Sequence, residues 1–271
     1  MNNLLAQINL NTLFTVVGIV AAVAIIFAVL IVLVSRFTAI KTDEKVEQIQ
    51  DLLSNANCGG CGYAGCADFA KAVAEGKADI SACGPTSPEN KAKIAAILGK
   101  SFASGGELCA FVHCSGGDLC AEKFLYVGNS GCTAKCAFGG GNKACAFGCL
   151  GDGTCVKACD YGAITVIGGV AKVDMNKCVA CGKCVKTCPK NLIELLPKNI
   201  KVAVACSSLC KGKDVMSACK SGCIGCGLCA KNCPENAIEM VDNLPKIDYS
   251  KCTGCLTCVS KCPRKCIFEI K

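Results

Sequence analysis

The chain has 271 residues, 29 of them Cys, with a formal net charge of +8, one His, no Trp and 5% aromatic residues. So few aromatics exclude the large apolar core of an ordinary enzyme of this length, and a single imidazole, His113, excludes haem chains and most zinc enzymes. The thiols stand in tight runs with two-residue gaps, which suits metal ligation rather than the disulfides of a small secreted scaffold.

Residues Leu13 to Val34 carry no charge and are apolar on every face, a length that spans a bilayer as a helix. No Lys or Arg precedes Arg36, so the segment lacks the basic start of a signal peptide. Arg36, Lys41 and Lys45 follow it and place the rest of the chain in the cytoplasm by the positive-inside rule. Residues 1–36 are thus predicted to be a transmembrane anchor. A short amphipathic helix is expected over Thr42 to Ser54. Next comes Cys58-x2-Cys61-x4-Cys66, then Cys83, with a helix between them from Ala67 to Glu75. A second helix is expected from Pro88 to about Leu98, capped by Ser87 and stopped by Gly99. Residues 37–100 form this four-Cys module, and 101–124 read as a linker whose start is rich in Gly and Ser.

The rest of the chain is an internal repeat. Cys132, Cys136, Cys145, Cys149, Cys155, Cys159, Cys178, Cys181, Cys184 and Cys188 each have a Cys 74 positions later, with no gap needed. Two copies follow, 125–198 and 199–271. The second contains Cys223-x2-Cys226-x2-Cys229-x3-Cys233-Pro and Cys252-x2-Cys255-x2-Cys258-x3-Cys262-Pro, the bacterial ferredoxin spacing written twice. In that spacing the fourth Cys of each run ligates the other cluster. One [4Fe–4S] cluster is therefore assigned to Cys223, Cys226, Cys229 and Cys262, and another to Cys252, Cys255, Cys258 and Cys233.

The first copy keeps Cys178, Cys181, Cys184 and Cys188, so Cys178, Cys181, Cys184 and Cys159 make a third set. Its other run departs from the pattern, because Asp152 stands where the second copy has Cys226. Cys149, Cys155 and Cys188 then need a fourth ligand. Asp152 through oxygen and Cys145 through sulfur are the two repairs, and Cys145 is favoured as the softer ligand. Cys58, Cys61, Cys66 and Cys83 form a fifth set. At least five clusters are expected, with Cys114, Cys132, Cys136, Cys206, Cys210 and Cys219 available for a sixth or seventh. Five four-thiolate cubanes would remove about ten positive charges, so the net charge is no argument for nucleic acid. The predicted fold class is α+β, built of small cluster-nucleated modules: a transmembrane helix, the four-Cys module, and two tandem ferredoxin-like units with two hairpins and two short helices each. Strands are expected at Ala163–Ile167, Val170–Val173, Ala237–Val241 and Lys246–Asp248. No dinucleotide fingerprint or catalytic triad is present, so no catalytic residue is assigned.

The apolar anchor, Cys58-Gly-Gly-Cys61-Gly-Tyr-Ala-Gly-Cys66 with Cys83, and the ferredoxin runs, in this order, resemble the B subunit of the Rnf complex. That complex is an ion-translocating ferredoxin:NAD oxidoreductase of the plasma membrane. The resemblance implies a component of a redox enzyme that relays electrons from reduced ferredoxin or flavodoxin to other membrane and flavin subunits, without substrate chemistry of its own. Two other readings are an iron–sulfur donor to a corrinoid or flavin enzyme, and a zinc-binding membrane scaffold.

Overall fold

The computed structural model describes residues 10–38, 44–100 and 107–270. It divides into two bodies, Met1–Glu44 and Lys45–Lys271. The described residues of the first form one helix, α1 (Leu10–Thr38), whose stretch Leu13–Leu33 has a mean hydropathy of 3.4 and none of its surface buried. A helix so apolar and so exposed has its natural partner in lipid. The side chain of Arg36, and Lys41, both used in the orientation argument, lie outside the described residues.

The second body starts with α2 (Glu44–Leu52), α3 (Cys66–Ala74) and α4 (Pro88–Ile97). Ile49, Phe69, Val73 and Ile94 from these three helices make one small core. Ser87 caps α4 by accepting a hydrogen bond from the Asn90 amide at 3.3 Å, Pro88 opens the helix, and Gly99 ends it with φ of +66°. Residues 101–106 of the expected linker lie outside the described residues.

The segment beyond them is not a linker. Leu108–Val112 is a strand, β1, and it belongs to the first ferredoxin copy. That copy continues with α5 (Cys132–Ala137), α6 (Thr154–Lys157), β2 (Ile164–Ile167), β3 (Val170–Val173), α7 (Lys183–Thr187) and β4 (Ile193–Pro197). The second copy holds β5 (Val202–Val204), α8 (Gly212–Ala218), α9 (Leu228–Lys231), β6 (Ile238–Val241), β7 (Leu244–Ile247), α10 (Thr257–Lys261) and β8 (Ile267–Glu269). Each copy has one hairpin, β2–β3 or β6–β7, rather than two. The other strand pair is antiparallel and joins the ends of the copy, β1 with β4 and β5 with β8. Loops between paired strands must fold around the thiols, so the sheets stay at two strands and the cores are made largely of Cys, Val, Ile and Ala.

This pairing corrects the gapless repeat. Val112 opposes Ile193 and Val204 opposes Ile267, while the amides of His113 and Ala205 donate to the carbonyls of Leu192 and Cys266, both at 2.8 Å. Val112-His113-Cys114-Ser115 therefore takes the place of Val204-Ala205-Cys206-Ser207. Cys206 is the counterpart of Cys114 in space, not of Cys132. The first copy simply has a longer path from this strand to Cys149 than the second has to Cys223, and α5 lies in that excess.

Candidate metal centre

Four openings in the two copies are lined by thiols, three of them by four and the Cys223 opening by five, Cys266 being the fifth. Cys223, Cys226, Cys229 and Cys262 face one, and Cys233, Cys252, Cys255 and Cys258 face the next. In the first copy Cys159, Cys178, Cys181 and Cys184 face a third. The fourth is lined by Cys149, Cys155 and Cys188, and the thiol that joins them is Cys132. Cys145 is elsewhere, on the wall of a larger cavity, so it does not complete this set.

Neither does Asp152. Its carboxylate accepts from the Gly131 amide at 3.1 Å and from the Lys135 ammonium at 2.6 Å. Thr154 accepts from the Cys132 amide at 2.7 Å. Both acceptors sit at the start of α5, where backbone N–H groups lack helical partners. The residue that replaced a ligand thus fastens the helix that delivers another thiol. Cys155 feels Cys149, Cys132 and Cys188, and burial first, then these neighbours, push its thiol up to about 11.

In each run a left-handed residue, Gly153, Gly182, Gly227 or Leu256, turns the chain into a one-turn helix that carries the third Cys. Backbone amides also reach the sulfurs. Leu192 donates to Cys188 at 3.4 Å and Ala110 to Cys178 at 3.4 Å. Thiols grouped around an opening, with apolar walls and amides aimed at sulfur, are a donor set that fits an iron–sulfur cubane.

The four-Cys module abuts the first copy. Cys61, Cys66 and Cys83 pack against its own core, and the Cys66 amide donates to Asn57 Oδ1 at 2.8 Å. Gly60 and Gly84 lie so close to the carbonyls of Cys181 and Ala180 that a Cβ on either would collide with them. Lys186 Nζ donates to the Gly60 carbonyl at 3.0 Å. Burial, then the thiolates of Cys58 and Cys181, push the phenol of Tyr161 up to about 12.

Three thiols outside the five sets each lie beside another thiol. Cys109 Sγ donates to the Ala110 carbonyl at 3.4 Å and Cys120 Sγ to the Ala121 carbonyl at 3.6 Å, and the neighbouring Cys178 and Cys219 are drawn down by them. Cys266, 1% exposed, has its sulfur 3.6 Å from that of Cys262 and draws that thiol down to about 5. Cys109 and Cys178, like Cys120 and Cys219, are far apart in the chain, so spacing carries no sign of these two pairs. Cys136 faces none of these openings; its sulfur lies 3.9 Å from the Pro189 carbonyl. His113 is a tie between the copies, bonding the Val204 carbonyl at 2.7 Å and Glu194 at 3.0 Å.

A larger cavity of about 130 Å³ lies between the copies, with Cys114, Cys120, Cys145, Cys149, Cys206, Cys210 and Cys219 on its wall.

Comparisons with known proteins point to the same iron–sulfur chemistry. Residues 53–85 match the family described as "Putative Fe-S cluster", 170–193 a 4Fe-4S binding domain and 222–266 a 4Fe-4S dicluster domain. The chain is thus an iron–sulfur protein of the [4Fe–4S] class. It is 39% identical over 202 residues to the B subunit of the Na(+)-translocating ferredoxin:NAD(+) oxidoreductase complex of Acetobacterium woodii, covering 73% of this chain and 60% of that one. It is 37% identical to the B subunit of the ion-translocating oxidoreductase complex of Methanosarcina acetivorans, covering 73% of this chain and 76% of that one. The B subunit of the proton-translocating ferredoxin:NAD(+) oxidoreductase complex of Clostridium ljungdahlii is 41% identical over 73% of this chain and 71% of its own length. The chain belongs to the family of Rnf complex B subunits, the redox, membrane-associated family whose resemblance the sequence carries.

Proposed function

We propose that this chain is the membrane-anchored electron relay of an ion-translocating ferredoxin:NAD oxidoreductase. It accepts electrons from reduced ferredoxin and passes them to membrane and flavin subunits. In this reading α1 crosses the membrane once and the Cys-rich body lies in the cytoplasm. Five [4Fe–4S] clusters are held, by Cys58, Cys61, Cys66 and Cys83; by Cys159, Cys178, Cys181 and Cys184; by Cys132, Cys149, Cys155 and Cys188; by Cys223, Cys226, Cys229 and Cys262; and by Cys233, Cys252, Cys255 and Cys258. Each such cluster, when bound, takes up and gives back one electron.

The observation that carries the reading is the contiguity of the sites. The four-Cys module presses Gly60 and Gly84 onto the backbone at Ala180–Cys181, and that site shares the first copy's core with the Cys155 site. The two sites of the second copy share a core likewise. Exposed Cys226 and Cys255 bring sulfur to the surface of the second copy, where a donor protein can approach. The chain's residues therefore hold, insulate and align the clusters, and no side chain is needed for bond-making chemistry.

The test is anaerobic reduction of the reconstituted full chain in lipid nanodiscs by reduced ferredoxin, followed by low-temperature spin resonance. The signals of reduced, mutually coupled clusters are expected. Clusters that dithionite reduces but ferredoxin leaves oxidised would remove ferredoxin as the donor.

A further inference from the structure

The cavity between the copies has no use in the five-cluster reading, yet six thiols outside those five sets line it. Buried Cys as filler closes space; here the thiols surround an opening of about 130 Å³. The opening sits on a local two-fold relation between the copies. Ser115 Oγ donates to the Ala205 carbonyl at 3.1 Å, and its counterpart Ser207 donates to the His113 carbonyl at 2.9 Å. The Cys149 amide donates to Cys114 Sγ at 3.3 Å, and the Cys223 amide to Cys206 Sγ at 3.3 Å. Cys120 and Cys219 are bridged across the copies by their backbones.

Four of the six thiols group together. Cys145, at the end of its loop, has Cys114, Cys219 and Cys210 as the thiolates that bear on it. Cys120 is joined to Cys219 by their backbone bridge, and Cys114 and Cys206 hold equivalent places, each accepting the amide of the next run's first Cys. Small residues leave room, since a Cβ on Gly116 would come within 3.1 Å of the Cys219 sulfur.

We propose that this cavity is a sixth [4Fe–4S] site, held by Cys114 and Cys145 from the first copy and by Cys219 with Cys206 or Cys210 from the second. It rests on the five-cluster reading for its meaning. Cys149, a ligand of the neighbouring first-copy cluster, is on its wall, and Cys223, a ligand of the second-copy cluster, is one hydrogen bond from Cys206. The site thus fills the break between two otherwise separate pairs.

Iron and acid-labile sulfide are counted on the reconstituted full chain, then on the double variant Cys145→Ala/Cys219→Ala. About 24 irons are expected in the first and about 20 in the second, with the spin-resonance signals of the other five clusters kept. About 20 irons in the unsubstituted chain, or no loss in the variant, would overturn the sixth site and leave the five standing. Fewer than about 20 irons in the unsubstituted chain would overturn the five-cluster reading itself. Should the variant shed all its iron through misfolding, an iron-anomalous map of the unsubstituted chain decides: density in this cavity supports the site, and none there rejects it.

Discussion

The two ferredoxin copies solve one problem in two ways. In the second, the loop Cys223-Ile-Gly-Cys226-Gly-Leu-Cys229 carries three thiols, and all three face one opening with Cys262. In the first, the same loop has Asp152 in the middle, and the missing thiol comes from α5, in the stretch by which this copy is longer. Asp152 then ties that helix down through Gly131 and Lys135. A ligand position in such a loop is therefore replaceable, provided that an added segment returns a thiol to the same opening and the substitute holds the segment there.

The largest expected effect follows from this exchange. Cys132→Ala should empty the Cys149 site and cost about four irons, as Cys226→Ala should in the second copy. Adding Asp152→Cys to Cys132→Ala rebuilds the second copy's loop in the first, and the irons should return. Iron analysis with spin resonance reads both. Full iron in Cys132→Ala would mean that the copies do not differ in the way described.

The ferredoxin runs, the strands β2, β3 and β6, and the membrane-length helix were legible in the sequence, because spacing and periodicity are local. Four features were not, and the first two depend on contacts distant in the chain. The β1–β4 and β5–β8 pairs join residues at opposite ends of a copy. Cys132 is brought to Cys155 by hydrogen bonds to Asp152 and Thr154 that spacing does not encode. The gapless offset matched Cys132 with Cys206, since the thiols on either side of the longer stretch fall by coincidence into the same register. Lys246–Asp248 was expected as a strand, whereas the strand is Leu244–Ile247, because the tight turn at Asp242 and Asn243, both with positive φ, starts it earlier.

A smaller effect is expected where only one copy carries the four-Cys module. Gly60→Ala would drive a methyl group into the Cys181 carbonyl. Overpacking of this kind costs about 1–3 kcal/mol, enough to part the module from the first copy without unfolding either. Iron content should stay level, while magnetic coupling between the Cys58 and Cys181 clusters weakens and ferredoxin-driven reduction becomes incomplete or slower. Thr253→Ala, at an exposed residue of the Cys252 loop in the second copy, provides the contrast, since no module docks there. Equal loss of coupling in both variants would mean that the contact at Gly60 is not what joins the module.

The smallest effect concerns the residue behind the cluster. Leu192 in the first copy and Cys266 in the second hold corresponding places, both 1% exposed. Leu192 offers Cys188 only its backbone amide, whereas Cys266 adds a thiol 3.6 Å from the Cys262 sulfur. A hydrogen bond to a ligand sulfur favours the reduced, more negative cluster and raises its potential. One such bond contributes about 0.5–1.5 kcal/mol, or about 20–60 mV for one electron. Cys266→Ala should therefore lower the potential of the Cys223 cluster by that amount, Cys266→Ser should largely keep it, and Leu192→Cys should raise the potential of the Cys155 cluster. Redox titration followed by spin resonance measures all three. A shift in Cys266→Ser as large as in Cys266→Ala would assign the effect to packing, and the two copies would then differ in ligand supply alone.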